Sequence, residues 1–247
     1  MIFVGTEALR QQKRRPLRLP NGVEYMRGEY MESPRDQPLL PQSFLVEQPA
    51  NSTILSHFHR QNQFQVVVGG SGSIGRHALQ PVSVHYAGAY TGYGPLLAGP
   101  EGLDYMTLRP QYDPGANFLP EARATLAQGP KRHWTSDALN PMAAEALRAL
   151  AEVRVTEVLA LQDDGLAVIQ YALPPSASCP TLAPAGSAGQ FLLLIGGGLA
   201  HGDALLGVRE NLFVSADEPA YALHAGPAGA EVLLLRYPLR DPAYAAH

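Results

Sequence analysis

The sequence predicts an all-β chain built from two copies of one β-domain, joined by a short helical connector. Three observations carry this. An ungapped internal repeat relates residues 63–109 to residues 190–236 at a constant offset of 127. The 24 glycines and 22 prolines punctuate many short apolar runs, as in a sandwich or barrel of short strands. Between the copies the texture changes to Ala, Leu, Glu and Arg, which favours helix. The expected boundaries are 1–115 for the first domain, 116–152 for the connector and 153–247 for the second domain.

In the first copy, strands are expected at 54–59, 63–68, 72–79, 82–87, 94–98 and 103–109. The run "QFQVVV" mixes β-branched and aromatic residues, and "GGSG" (69–72) is expected to turn the chain, since glycine takes positive φ without steric cost. "AGPEG" leads into a last strand ending at Arg109, as "AGPAG" does for Arg236. Gln63/Gln190, Phe64/Phe191, Gly70/Gly197, Pro100/Pro227 and Arg109/Arg236 are identical pairs. Recurrence of the two arginines points to a structural task, carboxylate pairing or backbone capping. In the connector, Asn140 is placed to cap a helix, Pro141 suits its first turn, and Ala144, Leu147 and Leu150 follow at helical spacing.

Composition narrows the function. Hydrophobic residues make up 46% and charged residues 16%, enough apolar material for a sizeable core. A net charge of -4 gives no electropositive field for nucleic acid, and "QQKRR" reads as a solvated cluster. The one cysteine, Cys179, rules out an internal disulfide and suits a reducing compartment. "MIFVG" is too short for a signal peptide, and "QFLLLIGGGLA" is too short to span a bilayer. The expectation is a cytoplasmic protein without membrane or nucleic-acid partners. A homodimer is compatible with the sequence, residues 1–42 covering a strand edge in cis or across the pair.

The chemistry-bearing stretch is "SHFHRQNQ". His57 and His59, at i and i+2 on a strand, share one face, and neutral imidazoles suit Fe, Mn, Ni, Zn or Cu. His57-Phe58-His59, three residues, Gln63, six residues and Gly70 reproduce the first motif of the cupin superfamily, with Gln in place of its Glu. The chain thus resembles a bicupin, which implies two jelly-roll barrels. The second family motif adds a third His, whose place falls near Tyr93, but no His lies between Tyr86 and Arg132. His85, on the strand upstream, is the substitute candidate.

In the second copy, His57 and His59 correspond to Pro184 and Gly186, so only the first copy carries the site. The resemblance implies a divalent transition metal on His57 and His59, completed by Gln63, His85 or Tyr93, with Tyr90 or Tyr93 orienting a small organic substrate. Dioxygenase-type chemistry is the leading expectation. The alternative is a non-catalytic binding barrel with a degenerate metal site. His77 reads as surface, as do Glu101 and Asp104. His133, His201, His224 and His247 have no partner in sequence.

Overall fold

The structure, a computed structural model, describes residues 1–244; His247 lies outside them. It divides into two compact units: residues 8–140 with 240–244, termed the N-terminal barrel, and residues 1–7 with 141–239, the C-terminal barrel. The all-β class holds, with two large antiparallel sheets.

β1 (Ile2–Gly5) opens the chain but belongs to the C-terminal barrel. Helix α1 (Glu7–Lys13) leads into the N-terminal barrel, with β2 (Arg15–Arg18), β3 (Glu24–Met31), β4 (Gln42–Gln48), β5 (Thr53–Ile54), β6 (His57–Phe58), β7 (Gln63–Ile74), β8 (His77–Leu79), β9 (Val84–Ala87) and β10 (Leu96–Arg109). β11 (Asn117–Phe118) pairs with β6, and β12 (His133–Thr135) pairs with β9. The main sheet runs β12-β9-β7-β10-β4-β3-β2. Its core gathers Phe44, Val46, Val67, Tyr93, Leu103 and Tyr105.

In the C-terminal barrel, helix α2 (Ala144–Arg148) precedes β13 (Arg154–Leu159), β14 (Ala167–Leu173), β15 (Ser178–Pro180), β16 (Gln190–His201), β17 (Ala204–Leu206), β18 (Asn211–Val214) and β19 (Ala222–Arg236). The sheet order is β1-β18-β16-β19-β14-β13. β7, β8 and β9 map onto β16, β17 and β18 at the sequence offset of 127, and β10 maps onto β19 to within one residue.

Three local expectations change. "GGSG" does not turn the chain: β7 runs through it, and β10 runs through "AGPEG". The register between them shifts at Ala98/Leu103, so the glycines serve a bulged, bent strand pair. Gly70 has φ +65, and a Cβ there would stand 2.1 Å from the Gly102 carbonyl oxygen; Gly197, at φ +68, would meet that of Gly229 at 2.2 Å. A bulge within a central strand pair, not a hairpin, explains why these glycines recur.

The connector is also less helical than expected. It holds a 3-10 turn at Glu121–Thr125 and the five-residue α2, with Ala143 rather than Asn140 at the cap position and no side-chain cap. Leu147 and Leu150 still bury, against Ala172. Finally, the units cut the chain differently from 1–115, 116–152 and 153–247. Residues 116–140 contribute β11 and β12 to the N-terminal barrel, because those strands pair with β6 and β9, while β1 pairs with β18.

Candidate functional site

The site is built where the main chain of His57 is clamped on both sides. On one side, His57 and Tyr93 exchange two backbone hydrogen bonds, of 3.1 and 3.0 Å. On the other, His57 faces Phe118 of β11. Alternation then sends His57 and His59 one way and Phe58 the other. The two imidazoles stand edge to face with centres 5.2 Å apart, and both are buried.

Each histidine has its Nδ1 engaged. His57 Nδ1–H donates to the Leu55 carbonyl at 2.7 Å, and His59 Nδ1–H donates to Asp113 Oδ1 at 2.8 Å. A carbonyl and a carboxylate can only accept, so both rings carry their proton on Nδ1 and a lone pair on Nε2. Burial, followed by the neighbouring His59, pulls the His57 pKa down to about 3. Burial and then the Arg109 charge lower that of His59. Both rings are neutral at ordinary pH.

Arg109, reserved by the sequence for a structural task, organises this site. Its Nε and Nη2 donate to Gln63 Oε1 at 3.1 and 2.9 Å, and its Nη1 donates to Gln42 Oε1 at 3.0 Å. Nη2 lies 3.1 Å from Nδ1 and 3.2 Å from Nε2 of His59. A nitrogen equidistant from both ring nitrogens sits over the imidazole face, since Cε1 blocks that position in the ring plane. Arg109 therefore points an Nη2 N–H at the face of the His59 imidazole.

Asp113 closes the network. It accepts from His59, from the Arg60 N–H at 2.8 Å and from the Gly115 N–H at 2.9 Å, and lies 3.6 Å from Arg109 Nη1. Burial alone would raise its pKa; the facing charges and hydrogen bonds outweigh burial and hold it well below the usual carboxylate range.

The candidate residues do not converge on one centre. Gln63 is not placed as a ligand: its Oε1 accepts twice from Arg109, and its Nε2 donates to the Tyr93 hydroxyl at 2.5 Å. Tyr93 packs against His57, with ring centres 4.6 Å apart, and burial raises its pKa, so it remains a phenol. His85 does not join His57 and His59. Its ring lies across Tyr93, at 5.2 Å, and its Nδ1 pairs with Thr135 Oγ1 at 2.8 Å. Tyr90 packs on the opposite side with Phe58 and Tyr244, because it follows the outward face of the histidine strand. The sequence left Asp113, Gln42 and Gln65 unnoticed.

His57 and His59 line a narrow cavity of about 80 Å³, walled by Leu19, Tyr25, Phe44, Tyr105 and Phe118. Arg27, which also lines it, is held by Glu29 at 2.7 Å and lies 3.5 Å over the Phe44 ring. Gln65 lines it too, and its buried Oε1 has no hydrogen-bond partner.

These residues fit a resident divalent cation only in part. Two imidazoles on one tetrahedral ion would have centres about 5 Å apart, and ligating histidines typically give their other N–H to a carboxylate or carbonyl, as both do here. The third donor is missing. Among the described residues, no group of three His, Cys, Asp or Glu side chains is placed to hold a metal ion. Gln63 Oε1 is taken up by Arg109, Tyr93 is a phenol, and an Arg109 N–H points at one of the two imidazoles. The donor set does not make a self-sufficient metal site.

No family model and no curated protein matches the sequence. Solved structures do. A putative dioxygenase from Nostoc punctiforme is 15% identical, with a TM-score of 0.60 over 99% of this chain and 82% of that one. The bacterial pirin YhhW from Escherichia coli, solved in complex with nickel(II), is 12% identical, with a TM-score of 0.58 over 96% and 99%. The coconut allergen cocosin is 11% identical, with a TM-score of 0.55 over 96% and 85%. At these identities the likeness establishes the fold alone. No helix among the described residues is long and apolar enough to cross a membrane.

Proposed function

The chain has a bicupin fold, and from that premise we propose that its N-terminal barrel binds a small molecule bearing hydroxyl or N–H donors, without a resident metal. One observation supports this above the others. Two acceptor atoms belong to residues lining one cavity: Oε1 of Gln65, buried without a hydrogen-bond partner, and Nε2 of His57, whose ring proton sits on Nδ1. A buried acceptor left unpaired is costly, so the favoured occupant supplies donors. The apolar walls set its other requirement, a compact, largely non-polar body. The Arg109 guanidinium supplies the fixed positive charge that a cation would otherwise bring.

A second reading, a metal ion on His57 and His59 completed by water or substrate, is favoured by the 5.2 Å ring spacing and the Asp113–His59 hydrogen bond. Dioxygenase-type chemistry would require that ion.

The test uses untagged protein stripped with a chelator. Small phenols, polyols and amides are screened by thermal shift, and Ni(II) and Zn(II) by calorimetry. A hit at a hundredfold excess over its Kd adds about 2.7 kcal/mol of stability. On the metal-free reading it persists in chelator and is lost in His57→Phe, which keeps the packing. Tight metal binding lost in His57→Phe, with ligand binding only when metal is present, decides for the second reading.

A further inference from the structure

His85 was grouped with the first site by sequence, yet the fold turns it toward a separate recess. In register, His85 pairs with Thr135 and Ala87 with His133, so His85, Thr135 and His133 lie on one face of β9 and β12. The His85 and His133 rings are 6.2 Å apart. With Arg76, His77 and Tyr93 they line a recess of about 310 Å³. Among the described residues no carboxylate lines it. Arg76, His77 and His133 are exposed, whereas His85 is 3% exposed and its buried Nε2 has no hydrogen-bond partner.

An unpaired buried ring nitrogen calls for an occupant, and the lining says which kind. A permanent guanidinium, two titratable imidazoles and no acid form a setting hostile to a cation and receptive to an anion. The Thr135 hydroxyl can donate to His85 Nδ1, and in that tautomer, which an anion in the recess would select, Nε2 carries the proton and donates to the ligand. Burial, then the neighbouring His133 and His77, push the His85 pKa down to about 3, against the raising effect of the Trp134 carbonyl.

We propose that this recess is a second binding site, independent of the His57–His59 cavity, for a small anion of the phosphate or carboxylate type, held by Arg76, His133 and the buried His85. The full-length chain is titrated with inorganic phosphate and, separately, with acetate, following the imidazole Cε1–H signals by NMR. The expected result is a saturable shift of the His85 and His133 signals in at least one arm. The arm that saturates at lower concentration identifies the anion class. Arg76→Gln, an exposed substitution that leaves the barrel intact, should weaken binding about tenfold, the loss of one charge-assisted hydrogen bond. His57→Phe should leave it unchanged. No saturable shift in either arm overturns the proposal, as does equal affinity in Arg76→Gln. A response to Zn(II) in place of the anions overturns it as well.

Discussion

At the scale of single residues, the barrel buries neutral histidines where most proteins bury apolar groups. The pKa of His57 and that of His85 fall to about 3, burial being the largest cause for each. An unfolded histidine titrates near 6.5, so on acidification the unfolded chain takes up protons before the folded chain does. Stability from these groups is therefore complete above about pH 6.5 and is lost as the pH falls toward 3, at up to about 1.4 kcal/mol per pH unit for each. Asp113 acts lower: its folded pKa is depressed, so its contribution is present above about 3.9 and disappears below that. Urea midpoints measured from pH 7 to pH 4 should fall steadily, and His57→Gln should make that slope shallower. An unchanged slope would show that His57 titrates normally. The histidine pair was legible in sequence because i and i+2 share a face. Asp113 and Gln42 were not, being 54 and 67 residues from the groups they bind. Comparison between the copies would have exposed them. Gln42 sits opposite Arg109, whereas Ala167 sits opposite Arg236, and the residue 127 beyond Asp113 is Arg240. Arg236, without such partners, donates instead to the carbonyls of Gly165 and Ala185. The two structural tasks foreseen for the arginines are thus divided between the copies.

At the scale of elements, the repeat was read correctly in position and misread in shape. Glycine runs are ambiguous in sequence, because positive φ serves a hairpin and a bulge equally well. What decides is the partner strand: β7 and β10 stay paired on both sides of the glycines, which only long-range register reveals. Short helices suffer the same limit. Asn140 and Pro141 carried the local signals of a helix start, yet α2 begins at Ala144, with the Met142 N–H donating to buried Glu231 at 2.8 Å. Tertiary contacts override such signals in a five-residue helix. The bulge makes a sharp prediction. Gly70→Ala combines a left-handed backbone with a Cβ 2.1 Å from a carbonyl oxygen, and should cost roughly 2–3 kcal/mol. Gly197→Ala should cost a similar amount in the C-terminal barrel. Neither Gly75 nor Gly202, whose Cβ atoms would find no contact closer than 4.0 Å, carries the clash. Denaturation of the four variants should therefore split them into two severe and two mild cases, and equal effects would refute the bulge explanation.

At the scale of the molecule, duplication has allowed the copies to specialise. The N-terminal barrel places paired imidazoles and a buried guanidinium around a small cavity, with Asp113 holding His59. At the corresponding places the C-terminal barrel has Pro184 and Gly186, and its Gln190 turns to the Leu182 carbonyl. The recurrence of strands made this asymmetry readable, but the sharing of chain ends was not: strand pairing across more than 200 residues leaves no local mark. β1 adds itself to the edge of the C-terminal sheet, with Ile2–Gly5 against Asn211–Val214 and Phe3 near Phe213. It leaves β18 paired on both sides, which protects an edge that would otherwise stand open. Deleting residues 2–5 from the full chain removes that cover at a cost of about 1–2 kcal/mol, or roughly 5–10 °C for a unit of this size. The effect should stay within one barrel. Hydrogen exchange should quicken at Asn211–Val214 while Val84–Ala87, the equivalent strand of the N-terminal barrel, keeps its protection. Faster exchange at Val84–Ala87 instead would mean that the first residues support the barrel that follows them in sequence, contrary to the pairing of β1 with β18.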